Sequence, residues 1–123
     1  MEKSIQIILT GVPISTNSAY RHTCVGGFAR SYMKKEAVAL KESYQWQNKS
    51  QWKGKKPLEG SLELDIKVYL PTKRNTDWDN LHKLSMDSMN GIIFVDDKQI
   101  QKATVSKHYD KNNPRIIIII KPI

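Results

Sequence analysis

The stretch Leu62–Leu70 reads Leu-Glu-Leu-Asp-Ile-Lys-Val-Tyr-Leu. Leu62, Leu64, Ile66, Val68 and Leu70 fall on one side of an extended chain, and Glu63, Asp65, Lys67 and Tyr69 on the other. Successive strand side chains point to opposite faces, so the stretch is a half-buried strand. Pro71 ends it, and Lys73-Arg74-Asn75-Thr76 forms a basic loop beyond.

Before this strand, residues 4–9 are apolar and β-branched and predict another strand. A loop containing Pro13, Ser15, Asn17 and Ser18 leads to Tyr20 and Arg21. Asn17, Tyr20 and Arg21 read either as a phosphate-contacting or site-lining loop or as a polar connector. A short hairpin or irregular segment surrounds Gly26-Gly27. Ser31 can cap a helix running to about Trp46, with Met33, Ala37, Leu40 and Tyr44 as its apolar face. Residues 48–60 read as a loop. Lys49, Lys53, Lys55 and Lys56 interleave there with Trp46 and Trp52, the pattern of a nucleic-acid contact or of a solvated loop pinned by a buried Trp.

After the strand, Asp77 or Asp79 can cap a helix over residues 80–89, closed by Asn90-Gly91. Residues 92–95 predict a short apolar strand or a strand entry, and Asp96-Asp97-Lys98 a turn. Residues 99–109 predict a further strand, residues 110–114 a turn, and the run Ile116–Ile120 a strand buried on both faces or against helices. The sum is an α+β fold in a single domain, 1–123, with a mixed sheet of about five strands and two main helices.

The 123-residue chain carries a net charge of +8. Residues 1–60 hold ten Lys/Arg against four acids, and residues 61–123 ten against eight. A basic surface of this kind attracts polyanions, of which nucleic acid is the commonest. The longest strongly apolar run is far too short to span a membrane, and no targeting segment is evident, so a cytoplasmic protein without membrane attachment is expected. Cys24 is the one cysteine, which excludes an internal disulfide and a Cys-based zinc cage.

Within this basic chain, residues 77–97 hold five of the twelve acids: Asp77, Asp79, Asp87, Asp96 and Asp97. Asp77 and Asp79, two apart in an extended entry, leave the same side of the backbone. A strand doubling back after the helix would bring Asp97 beside them. Converging carboxylates repel unless a cation lies between them. Mg²⁺, or Mn²⁺ in its place, fits two or three Asp oxygens, water and a substrate phosphate. Lys83 lies one helical turn after Asp79, where its ammonium can position an attacking water or neutralise transition-state charge.

Spacing leaves plainer assignments open. Asp77 or Asp79 can serve only as a helix cap, and Asp96-Asp97 only as turn residues. Asp79 and Lys83 can form a solvated pair worth roughly a few tenths of a kcal/mol. Asp87 reads as a solvent-side residue or a partner for Lys83. The acids do not follow EF-hand spacing, and His22, His82 and His108 lack zinc-site spacing.

The run Arg74-x-x-Asp77-x-Asp79-Asn80-Leu81-x-Lys83-x-x-x-Asp87, then Asn90-Gly91, then Asp96-Asp97-x-Gln99-Ile100 resembles the signature of the RusA-type endodeoxyribonucleases, Holliday junction resolvases of bacteria and their phages. Pro13-x-Ser15-x-Asn17-x-x-Tyr20-Arg21 is similar to that family's other recurring segment. The resemblance implies that Asp77, Asp79 and Asp97 bind Mg²⁺, that Lys83 is the catalytic lysine, and that Lys73 and Arg74 hold junction phosphates. It also implies a homodimer acting on branched DNA, especially four-way junctions, by paired nicks. The chain departs from the pattern where Asn75-Thr76 separates Arg74 from Asp77. A broader branched-DNA nuclease and a non-catalytic basic DNA-binding module are the competing readings.

Overall fold

The computed structural model describes residues 4–14, 20–25, 28–72 and 82–123, with the side chains of residues 20–25 and 28–33 outside that description. Strands β1 (Ile5–Thr10), β4 (Leu62–Leu70), β5 (Ile100–Tyr109) and β6 (Arg115–Pro122) form a mixed sheet in the order β1-β6-β4-β5. Strands β2 (Tyr20–Val25) and β3 (Phe28–Met33) pair separately as a hairpin. The helices are α1 (Lys35–Trp52) and α2 (Lys83–Met89). The architecture is α+β, with four strands in the main sheet where the sequence pattern predicts about five.

β4 is antiparallel to β6 and parallel to β5. Its leucine-rich face is at most 5% exposed, while Glu63, Asp65, Lys67 and Tyr69 are half-buried. Parallel neighbours need a long crossover. Here the crossover leaves β4 at Leu70 and returns to β5 at Ile100, opposite Leu62. The acidic stretch is thus part of the connection between the two strands.

The isoleucine run of β6 is buried on one face only. Ile116, Ile118 and Ile120 are fully buried, whereas Ile117 and Ile119 are half-buried. The described helices contribute Ala37, Tyr44, Leu84 and Met89 to the same cluster as Ile7, Leu9 and the β4 leucines, so they cover a single side of the sheet. Ile8, on the other side, is 38% exposed.

Helix α1 differs from expectation at both ends. Ser31 does not cap it, because residues 28–33 are paired into the hairpin, with Ser31 opposite His22. The helix starts at Lys35 without a side-chain cap and continues past Trp46 to Trp52, where Lys53 adopts a left-handed φ of 56°. Asn48 and Trp52 extend its buried face beyond Ala37 and Tyr44.

The opposite flank of α1 protects an edge strand. Gln51 accepts from the Ile8 N–H at 3.0 Å and donates to the Ile8 carbonyl at 2.6 Å. Gln47 accepts from the Thr10 N–H at 2.7 Å and donates to the Thr10 carbonyl at 3.1 Å. Four helical residues rise about 6 Å and two strand residues about 6.8 Å, so the two amides match the strand repeat. They occupy backbone groups that would otherwise invite another strand.

Residues 92–95 form a turn with isolated bridges, not a strand. Ile93 and Phe94 are fully buried there, and the Leu58 N–H donates to the Ile93 carbonyl at 2.8 Å. At the far end of the sheet, Asp110 accepts from the backbone of Asn112 and Asn113 and forms a 2.7 Å ion pair with Arg115. The Arg115 guanidinium lies 3.9 Å above the Tyr69 ring, which stacks on His108 at 4.9 Å.

Candidate active site

Asp96 opens a one-turn 3-10 helix, Asp97–Gln99, that carries Asp97 into β5. The turn is held by a capping box. The Asp96 carboxylate accepts from the Lys98 N–H at 3.3 Å, and the Gln99 side-chain oxygen accepts from the Asp96 N–H at 2.9 Å. The Gln99 amide nitrogen donates to the carbonyls of Leu58, at 2.8 Å, and Gly60, at 2.9 Å. One carboxamide therefore fastens the Asp96-Asp97 turn to the loop that precedes β4. The Asp-x-x-Gln spacing of residues 96–99 is the sequence signal for this lock, which the reading of Asp96-Asp97 as metal ligand or turn leaves out.

Asp97 is exposed and projects from this fixed turn. Its carboxyl is held above its usual range, chiefly by a hydrogen bond with the Asp96 carboxyl, then by desolvation and by the negative charges of Asp96 and Asp87. Asp96 moves the opposite way because the same bond and the Lys98 N–H favour its charged form. Asp87 thus lies within electrostatic reach of Asp97, where the sequence assigns it a supporting role rather than a metal ligand's.

Helix α2 presents Lys83 at its first position, exposed, and Asp87 one turn later, half-buried. The ion pairs among the described residues are Glu63–Lys102 and Asp110–Arg115, so Asp87 is not the partner of Lys83, the second of the two readings its position allowed. A buried polar seam sets the helix against α1. Asn48 donates to the Ser88 hydroxyl at 2.9 Å, Ser88 donates to the Ser85 carbonyl at 2.6 Å, and Ser85 donates to the His82 carbonyl at 2.7 Å. Tyr44, one turn before Asn48, is fully buried without a hydrogen bond to its hydroxyl, and desolvation pushes that phenol above its usual range.

Of the expected site residues, the structure places Lys83 and Asp97. Asp77, Asp79, Lys73, Arg74 and Asn17 lie outside the described residues. Tyr20 and Arg21 open β2, opposite Met33 and Tyr32, with their side chains outside the description. Among the described residues, no three His, Cys, Asp or Glu side chains are grouped to hold a metal. Asp97 is the described carboxyl whose ionisation is opposed, first by its hydrogen bond with Asp96, then by desolvation and by the charges of Asp96 and Asp87. No described helix is long and apolar enough to cross a membrane.

Residues 11–121 match the family model of endodeoxyribonuclease RusA. No curated protein matches the chain.

Proposed function

Since the chain belongs to the RusA endodeoxyribonuclease family, we propose that it is a Mg²⁺-dependent endonuclease that resolves four-way DNA junctions by paired nicks. The observation that carries this reading is the family match, which takes in all the residues of the Asp77–Asp97 signature. In this proposal residues 1–123 act as one nuclease domain, as a homodimer in the cytoplasm of a bacterial or phage-infected cell. Two-fold symmetry suits a substrate cut on two equivalent strands.

Asp97, with Asp77 and Asp79, would hold the metal, and Mn²⁺ would serve in place of Mg²⁺. The bound cation would supply Lewis acidity at the scissile phosphate and ease ionisation of an attacking water. Lys83 orients that water or balances charge that builds on the phosphoryl oxygens. Lys73, Arg74, Arg21, Asn17 and Tyr20 hold the DNA by its phosphates. The capping box would hold the Asp97 backbone in place for a cation bound to its carboxylate.

The test is cleavage of a synthetic four-way junction with and without Mg²⁺, beside flap and duplex substrates. Paired nicks on the junction that disappear with Asp79→Asn, while junction binding persists, support the reading. Cleavage of flaps in preference to junctions would replace it with a broader branched-DNA nuclease. Binding without product at any Mg²⁺ concentration would replace it with a non-catalytic DNA-binding module.

A further inference from the structure

The two tryptophans of α1 have opposite environments. Trp52 is 5% exposed, and its indole N–H donates to the Lys56 carbonyl at 3.2 Å. It pins the following loop, as the plainer sequence reading expects. Trp46 is 74% exposed, the highest value among the exposed large hydrophobic side chains of the described residues. Most of its surface is open to solvent.

Lys49 follows Trp46 by one turn and borders two clefts. One, of about 150 Å³, is shared with Glu42, Gln45 and Trp46. The other, of about 360 Å³, runs past Trp52, Lys55 and Pro57 to Gly91 and Ile92. That second cleft ends on the turn that continues through Phe94 to Asp96 and Asp97. Lys49 thus joins the cleft at Trp46 to the cleft beside Lys55.

Lys49, Lys53, Lys55 and Lys56 are all exposed, and none is in an ion pair among the described residues. Lys55 also lies 5.7 Å from the Trp52 ring. Unpaired ammonium groups beside an exposed indole match the two components of a nucleic-acid strand: phosphates for the lysines, and the π-face of an unstacked base for the ring. An acidic protein would satisfy the lysines and leave the indole without a counterpart.

We infer that this ridge is a DNA-binding surface separate from the metal site. The lysines contact backbone phosphates of a DNA strand, and Trp46 stacks on an unpaired base of the junction. The inference rests on the proposed reading of the chain as a junction nuclease.

The full chain is titrated with a labelled four-way junction in EDTA, so that no cleavage intervenes, over a series of salt concentrations. Each lost phosphate contact should reduce the slope of log K against log salt by about 0.9. The variant Lys53→Ala/Lys55→Ala/Lys56→Ala is expected to lose roughly two to three units of slope by that relation. Trp46→Ala is expected to weaken binding by about tenfold at unchanged slope, with Trp46→Phe recovering most of the loss, since base–aromatic stacking tolerates ring exchange. All positions are exposed, and unchanged thermal melting confirms that the variants fold. The surface is overturned if the lysine variant keeps its slope and Trp46→Ala binds within about twofold of the parent, against stacking losses that normally exceed this. It is also overturned if Trp46→Ala instead converts a dimer to a monomer in sedimentation, which makes Trp46 a subunit contact. Parent protein that fails to bind the junction at all sinks the nuclease reading along with it, whereas parent binding with indifferent variants sinks the surface alone.

Discussion

The side-chain oxygen of Gln99 accepts the backbone N–H of Asp96 at 2.9 Å. Because the same carboxamide donates to the Leu58 and Gly60 carbonyls, the turn bearing Asp97 and the entry to β4 move as one piece. Gln99→Ala is expected to cost about 1–3 kcal/mol in urea denaturation, the range for stranding partly buried partners. If the proposed metal role of Asp97 holds, junction cleavage falls further than junction binding. Equal losses in cleavage and binding would show that the turn serves DNA grip instead.

Lys83→Ala tests the ammonium at the start of α2. Lys83 is exposed and makes no ion pair among the described residues, so thermal stability should move little. The cleavage rate is expected to fall by about 100-fold or more, the scale for removing one transition-state donor, with junction affinity nearly retained. Single-turnover cleavage beside a binding titration separates the two.

Ser88→Ala removes the acceptor of the Asn48 amide in the seam between α1 and α2. Asn48 is fully buried and its side-chain oxygen already lacks a hydrogen bond, so no solvent is at hand to replace Ser88. A loss of about 1–3 kcal/mol is expected in chemical denaturation. Asn48→Asp should cost more, because it places a charge where it cannot be solvated.

Gln47→Ala combined with Gln51→Ala uncovers the outer edge of β1. The bonds are exposed to water, so the stability cost should stay near 1–2 kcal/mol. The sharper readout is hydrogen exchange, with the Ile8 and Thr10 amides losing protection while those of Leu62–Leu70 keep theirs. Concentration-dependent association of the variant would follow from the newly open edge.

The Asp110–Arg115 pair gives a pH dependence with a definite sign. The Arg115 hydrogen bond, with help from the Asn112 and Asn113 N–H groups, holds the Asp110 carboxyl below its ordinary value. A folded-state value below the unfolded one contributes stability that is complete above the unfolded carboxylate pKa. It is lost as pH falls through the folded value. The parent should therefore lose more melting temperature than Asp110→Asn between neutral pH and pH about 3. Equal losses would mean that the pair contributes nothing beyond solvated charges.

Much of this molecule is legible from local pattern. The alternation of residues 62–70 shows the central strand and its dry face, because side-chain direction along a strand depends only on position. The Asp110–Pro114 turn is written in residues that bond their own backbone. The long Asp-rich signature marks both the family and the crossover where chemistry is expected. The extent of α1 is less legible, since Ser31 has cap chemistry but pairs instead with His22 in the hairpin, a tertiary contact that overrides the local preference. Only the tertiary structure decides that the last strand lies between β1 and β4, that Gln47 and Gln51 serve an edge strand some forty residues away, and that Asp87 bears on Asp97. These relationships join residues distant in sequence, and no periodicity encodes them. They arise because a sheet with one apolar face must be covered, and the covering helices bring their polar flanks to wherever that burial leaves them.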